Sequence, residues 1–336
     1  MATYKNIKGS RVRVESADPS PVDTGDIWYN SSNNDLRFNA AGEFWTETTD
    51  VNVGRINPGG CGETAEAAMY WSGQPSPYTV DCEIWNGTAW AETGNVGTAR
   101  FAIGTGIGTT SAALFGGGGT GPQPQGVGLS EEWNGTAWSE GNNMITPRVL
   151  LAGFGTQTAG VNAGGYNSCI AYPSDLGYTE EYNGTSWSEG SDLNTVRRSA
   201  ASAIISTSTA GMIFGGTGFI GGAKNECEQW NGSAWSEVAD ISVARGEAAG
   251  VGTQALAAMA GGNPGYMTTT ETWNGSAWAS GNPLNTGRIE MSSAGSATAG
   301  LAVTGNTGSP STVGSLLMEE YAAGSSVRIT SSTASS

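Results

Sequence analysis

Glu83-Ile84-Trp85-Asn86-Gly87-Thr88-Ala89-Trp90 returns as Glu131-Glu132-Trp133-Asn134-Gly135-Thr136-Ala137-Trp138 and as Glu180-Glu181-Tyr182-Asn183-Gly184-Thr185-Ser186-Trp187. Two further copies, at 228–235 and 271–278, carry Trp230 with Trp235 and Trp273 with Trp278. The closing tryptophans stand 48, 49, 48 and 43 positions apart, the period of a repeat architecture. Ten positions after each closing Trp comes an Arg: Arg100, Arg148, Arg197, Arg245 and Arg288. Trp45 and Arg55 keep the same offset and add a sixth copy. A stretch of small and apolar residues follows each Arg and usually ends in Gly-Gly, as at Gly116-Gly117, Gly164-Gly165, Gly215-Gly216 and Gly261-Gly262; the outer copies degrade it to Ser72-Gly73 and Gly305-Asn306.

Each feature has a physical reading. Asn-Gly between two strand-like runs is a strong hairpin signal, since both residues accept the positive φ of a type I′ turn. Side chains alternate along a strand, so Trp85 and Trp90 then project from one face. The run after Arg, such as Ala99 to Gly104, reads as an inner strand whose small residues suit a crowded axis. The next apolar run, Ser111 to Phe115, reads as a buried strand stopped by the glycines. One unit thus supplies a Trp strand, an Arg strand, a Gly-Gly strand and a Glu-x-aromatic strand. Four short antiparallel strands per unit of this length make one propeller blade, which must stack on its neighbours to bury both faces.

Composition agrees. Charged residues are 13% and aromatics 9%, with 12 Trp and 53 Gly, the reverse of a disordered chain. So much Gly disfavours helices and suits short strands joined by tight turns. The net charge of −16 removes the basic face that phosphate backbones require, so no nucleic-acid partner is expected. No apolar run is long enough for a membrane helix, and residues 1–20 show no apolar signal-peptide core, so cytoplasmic synthesis without membrane insertion is the expectation. Cys61, Cys82, Cys169 and Cys227 have no CxxC spacing and read as reduced thiols, although Cys61 and Cys82 share a repeat and a pairing between them stays open. The chain has no His, hence neither the commonest general base nor the commonest metal ligand, and no enzyme chemistry, cofactor or metal is expected.

The order Arg, Gly-Gly strand, Glu-x-aromatic, Trp resembles the Kelch repeat over about residues 36–324, with a shorter aromatic-to-Trp spacing than the usual pattern. The Trp-Asn-Gly-Thr-Ala-Trp form, with Gly25-Asp26-Ile27-Trp28-Tyr29-Asn30, resembles Kelch-like virion proteins of bacteriophages, marine phages in particular. That resemblance implies a non-enzymatic structural or host-adhesion part (tail fibre, spike or tail tip) located in the virion. Its partners would be other virion proteins and a host surface receptor or glycan, and it would belong to a symmetric assembly.

The expected fold is therefore all-β: a Kelch-like propeller of six four-stranded blades over residues 26–324, with an N-terminal arm or anchor at 1–25 and a Ser-rich tail at 325–336. The last repeat reaches Tyr321 but has no Trp of its own, so the strand around Trp45 is expected to complete it and tie the termini together. A seventh blade is the alternative, built from Ile27-Trp28-Tyr29, Leu36-Arg37-Phe38-Asn39 and Val327-Arg328-Ile329.

Repetition of Arg and Glu argues against catalysis, which needs one asymmetric constellation. They read as structural partners; the alternative is a propeller lectin holding glycans between blades with Arg, Glu and Trp. Asn86, Asn134, Asn183, Asn231 and Asn274 fit the glycosylation sequon but are there for the turn. The run Gly116 to Gly119 lacks the Lys-Ser/Thr of a phosphate loop. A copper-oxidase propeller would need His. Binding is expected in the connections after Gly-Gly, at 74–79, 118–128, 166–178, 217–225, 263–267 and 307–314, which differ from copy to copy. Loops on a rigid scaffold carry function, and Tyr is favoured in contact surfaces. The candidate residues are Tyr78, Gln123, Gln125, Tyr166, Tyr172, Tyr178, Phe219 and Tyr266; replacing Tyr172 and Tyr178 by Ala is expected to weaken binding without lowering the melting temperature.

Overall fold

Four short runs of each repeat pair side by side. In the first, Gly59–Thr64 turns back onto Ala67–Trp71, which pairs with Cys82–Trp85, which pairs with Trp90–Glu92. The same antiparallel order recurs in five more sheets, and the computed structural model is a β-propeller of six four-stranded blades. It describes residues 13–16, 27–31, 35–38, 43–74, 78–101, 103–121, 126–167, 174–218, 222–308, 314–323 and 327–329, among which there is no helix. The sixth blade is Ser292–Ser296, Ala299–Val303 and Met318–Ala323, completed by Glu43–Glu47 from the other end of the chain, with Trp45 opposite Tyr321.

The meander fixes two ends. Asn-Gly turns and the turns between the first two strands of each blade lie at one end. Connections after Gly-Gly and the crossovers carrying Arg lie at the other, the loop face. Strand Asp35–Phe38 pairs with Val327–Ile329 on one side and with Ile27–Asn30 on the other, and Ile27–Asn30 pairs in parallel with Arg13–Glu15. These strands of the seven-blade alternative do associate, but as a separate mixed sheet. The two segments that close blade six are the same two that pair there: Glu43 opposes Ala323, and Phe38 opposes Val327. Met318–Ala323 runs toward the Asn-Gly end, as Cys82–Trp85 does, so a ribbon leaves the ring where a sixth Asn-Gly turn would stand.

The structure corrects four details. First, the Arg is not in the inner strand. Inner strands begin at Gly59, Ile107, Ala152, Ala201, Ala249 and Ser292. Two residues past Arg the backbone turns left-handed, at Asn57, Leu150, Ser199, Glu247 and Glu290 (φ 51° to 59°), and breaks the extended run. Second, in the Asn-Gly turn only Gly takes positive φ, 86° at Gly87, while Asn86 Oδ1 accepts the N–H groups of Thr88 and Ala89 at 3.0 and 2.9 Å. Asn serves as a side-chain acceptor, and the arrangement recurs in the other four copies.

Third, Gly-Gly does more than stop a strand. The N–H of Gly118, Gly165, Gly216 and Gly262 donates to the carbonyl of the next blade's Arg at 2.8 to 3.0 Å. In the second blade the equivalent pair is Gly117-Gly118, one residue later than the sequence suggested; both glycines of this and of the pairs at 164–165, 215–216 and 261–262 have positive φ, and a Cβ on Gly164 would stand 2.6 Å from the Arg197 carbonyl. Fourth, in the last copy the matching pair is Thr304-Gly305: Gly305 donates to Arg55 O at 2.9 Å and closes the ring, and Thr304, at φ 54°, adds its hydroxyl to the same carbonyl at 2.6 Å.

Tryptophan stitches the blades. The indole N–H of Trp187, Trp235 and Trp45 reaches the hydroxyls of Ser130, Thr179 and Thr270 in the preceding blade. Cys82 and Cys227 hold the equivalent place before the repeat Glu, facing Trp138 and Trp278. Burial pushes both thiols up to about 12, and the indole N–H works against that rise. Cys61, Cys82 and Cys227 are all free and buried, so the pairing left open does not form.

Candidate functional site: the loop face and the axial hollow

The repeated ionic residues build the frame. Arg197 donates through Nη1 to the carbonyls of Gly215 (3.1 Å) and Glu226 (2.5 Å), and through Nη2 to Glu228 Oε1 (2.6 Å). Glu228 also accepts the N–H groups of Asn194 and Thr195 at 2.8 and 3.1 Å. One Arg–Glu pair thus clamps a crossover onto the middle of its blade. All six pairs exist (Arg55–Glu83, Arg100–Glu131, Arg148–Glu180, Arg197–Glu228, Arg245–Glu271, Arg288–Glu319) at 2.5 to 3.1 Å. Every one of these arginines has zero exposure. Burial pulls Arg148 down to about 10 against the opposing pull of Glu180. The repeat aromatics Trp45, Trp85, Trp90, Trp133, Tyr182, Trp187, Trp230, Trp235, Trp273 and Tyr321 are buried as well. Groups placed this way are shielded from solvent in the folded ring.

On the loop face the tyrosines divide. Tyr78 stacks on Phe101 with centroids 4.3 Å apart and donates to the Gly121 carbonyl at 3.1 Å, tying the first blade's loop to the second's. Tyr166 lies under the Arg198 guanidinium, 4.8 Å from its centroid, and Arg198 reaches Asp175 at 3.4 Å. Tyr178 and Tyr266 are 44% and 39% exposed. Gln123, Gln125, Tyr172 and Phe219 lie outside the described residues. The crossovers add exposed Ile145, Val196 and Val243, and the sixth loop adds Leu316. Six of the eight large hydrophobic residues exposed among the described residues therefore lie on this one face.

The axis was missed in the sequence. The left-handed residues two past Arg form a chain of blade-to-blade hydrogen bonds: Asn57 N to Glu290 O (3.1 Å), Glu290 N to Glu247 O (2.8 Å), Glu247 N to Ser199 O (2.9 Å) and Ser199 N to Leu150 O (3.0 Å). They ring a hollow on the loop face. Aligning the repeats on Arg would have isolated this position, which reads Asn57, Ala102, Leu150, Ser199, Glu247 and Glu290 along the chain. Burial, then Glu290, raises Glu247 to about 7, against the pull of Arg198 and an Asn263 hydrogen bond.

The sign of that shift sets a prediction. The unfolded chain ionises Glu247 near 4.5, whereas the folded chain holds the proton until about 7. Stability contributed by this group is complete below 4.5, declines as pH rises to about 7 and stays lost above, by at most about 3 kcal/mol. Glu247→Gln is expected to raise the urea midpoint at pH 8 and leave it unchanged at pH 4.5; an equal shift at both pH values would disprove this.

Among the described residues no group of three potential metal ligands occurs, and no helix is long and apolar enough to cross a membrane. The chain matches no protein-family model and no curated protein.

Proposed function

We propose that this protein is a non-enzymatic virion component of a bacteriophage, a tail-fibre, spike or tail-tip module of Kelch-like type, that meets a partner or host receptor through its loop face. The gathering of exposed hydrophobic side chains on one end of the ring supports the binding half of this reading. The opposite end carries near-identical Asn-Gly turns and the outgoing terminal ribbon, which suits attachment to neighbouring virion proteins. The virion half rests on the Trp-Asn-Gly-Thr-Ala-Trp resemblance. Mass spectrometry and cryo-electron microscopy of purified particles test it, and absence of the chain from the particles overturns it.

Binding is tested on the exposed tyrosines, since Tyr172 lies outside the described residues. Tyr178→Ala with Tyr266→Ala is expected to weaken binding to particles or host cells by about 2 kcal/mol, roughly thirtyfold, with the melting temperature nearly unchanged. Tyr78→Ala is expected to lower the melting temperature instead, because its ring is packed on Phe101. Unaltered binding in the double variant would count against the loop face.

A further inference from the structure

The separate mixed sheet has two unlike faces. Its register sets Val14, Tyr29, Leu36 and Ile329 in one row across the four strands. Ile27, Phe38 and Val327 make a second row two positions away, which strand alternation assigns to the same face. The row between, Arg13, Trp28, Arg37 and Arg328, belongs to the other face, as does the row of Glu15, Asn30 and Asp35. An apolar sheet face needs another layer over it. Of the ring's strands, the sheet chiefly meets Glu43–Glu47, through its edge strand Val327–Ile329. Val14, on the apolar face, is 64% exposed, more than any other large hydrophobic residue described. Charge is divided between sheet and ring. Residues 1–40 hold five basic and five acidic side chains and residues 325–336 one Arg, whereas residues 41–324 hold eight basic and 25 acidic. Copies can therefore gather at the sheet while their acidic rings keep apart. Among the described residues the two edge strands, Arg13–Glu15 and Val327–Ile329, are each paired on one side only. Both run in the same direction, since one is parallel to Ile27–Asn30 and the other reaches it through two antiparallel pairings.

We propose that three copies of this chain join through this sheet, Arg13–Glu15 of each pairing in parallel with Val327–Ile329 of the next, to close a three-sided prism with the apolar faces inward. Rotation about an axis along the strands preserves strand direction, so edges that run the same way meet head to tail and the set closes. The number follows from size. Four strands about 4.8 Å apart make a side of roughly 19 Å, and a triangle of such sides holds each sheet roughly 5.5 Å from the axis, near half of the ~10 Å at which sheets pack face to face. Four sides would stand roughly 10 Å from the axis and leave the centre unfilled. Two sheets face to face would share roughly 230 Å² of flat surface, far short of the about 800 Å² per partner of a stable complex, and would leave the edges open. A two-residue step in register keeps every residue on its face. Such a step sets Val14 beside Val327 of the next copy and Glu15 beside Arg328, whereas the unstepped register sets Arg13 against Arg328; opposite charges favour the step. The inference does not rest on the loop-face reading, because no loop residue takes part.

Sedimentation velocity of the full chain over a dilution series is expected to reach three times the 34.2 kDa of one chain. Val14→Asp leaves the single chain undisturbed, since Val14 is exposed there, but places three carboxylates inside the prism. It is expected to raise the concentration of half-assembly roughly a hundredfold while the ring's melting temperature stays unchanged. Val14→Cys combined with Val327→Cys reads the edges directly. Within one chain these positions lie on opposite edges with two strands between, roughly 14 Å apart and beyond disulfide reach. Between neighbouring copies they stand side by side. Oxidation of the double variant is expected to give a three-chain band on a denaturing gel, and neither single variant is expected to give one. The proposal is overturned by a single-chain mass throughout the series, by a two- or four-chain mass, by assembly that Val14→Asp leaves intact, or by cross-links that fail to form or run on past three chains. A three-chain assembly that binds neither particle nor host sustains it without the loop-face reading, and single chains that bind do the reverse.

Discussion

Glu228→Ala is expected to destabilise the ring by about 3–5 kcal/mol, seen as a fall in the urea midpoint at unchanged slope. The loss has three sources. Arg197 would keep its charge with zero exposure and no counter-ion. The N–H groups of Asn194 and Thr195 would lose the carboxylate that accepts them at 2.8 and 3.1 Å. The Asn194 amide, which donates to the same carboxylate at 2.9 Å, would be freed too. An isolated buried ion pair can often be replaced by apolar residues at little cost. Here that rescue is expected to fail: Arg197→Met with Glu228→Leu removes the charges but takes the guanidinium from the Gly215 and Glu226 carbonyls, the latter keeping only the Gly215 N–H at 3.1 Å, and takes the acceptor from the two N–H groups. The double variant should therefore stay at least about 2 kcal/mol below the parent. Full recovery would mean that the pair acts as charge alone and does not clamp the crossover.

The same clamp explains what was legible. Each blade has one Arg and one Glu, and five of the six have an Asn-Gly turn three residues after that Glu, so the repeat appears in the sequence as identical residues, and six blades with Trp45 as the closing strand follow from it. Roles were harder to read than positions. Gly118, Gly165, Gly216 and Gly262 look like strand stops, yet their N–H groups bind the next blade, a contact between residues about 30 apart that no local pattern displays. The residue before each repeat Glu is Cys82, Ser130, Thr179, Cys227, Thr270 or Met318. Their shared task, facing a Trp of the following blade, appears only once blades are stacked. Inner strands were placed too early because left-handed geometry at Leu150 or Glu247 leaves no mark when the residue is not Gly. The axial carboxylates were missed for the same reason. Loop residues follow no period, so exposure separated Tyr178 and Tyr266 from Tyr78 and Tyr166 where sequence could not.

Trp45→Ala is expected to act on one blade rather than on the whole ring, and a matched pair of sites makes this testable. Trp45 packs on Tyr321 with centroids 5.0 Å apart and planes at 42°; Trp187 packs on Tyr182 with the same 5.0 Å and 42°. Each indole N–H bonds a hydroxyl of the preceding blade, Thr270 at 3.0 Å and Ser130 at 3.4 Å. Truncating either removes a buried indole and should cost about 3–5 kcal/mol. The two differ in how the chain holds the strand. The strand after Trp187 is tied to its neighbour by the Asn183-Gly184 turn and runs on into the next crossover. Glu43–Glu47 has no such turn: its neighbour Met318–Ala323 comes from the far end of the chain, so it can detach while the other blades stay folded. Among its remaining holds are the ladder to that neighbour, the Thr46 hydroxyl donating to the Glu320 carbonyl at 3.4 Å and the Asn285 amide donating to the Trp45 carbonyl at 2.9 Å. Hydrogen exchange reports opening free energy segment by segment. In Trp45→Ala the amides of Glu43–Glu47 and Met318–Ala323 are expected to exchange about a hundredfold or more faster, as a loss of about 3 kcal/mol implies, while Ala249–Thr253 and Leu256–Ala260 in the fifth blade change little. In Trp187→Ala the acceleration is expected to spread through the ring, because that strand opens only with its blade. Equal, uniform acceleration in both variants would show that ring closure is no weaker than the covalent hairpins and that the propeller opens as one cooperative unit.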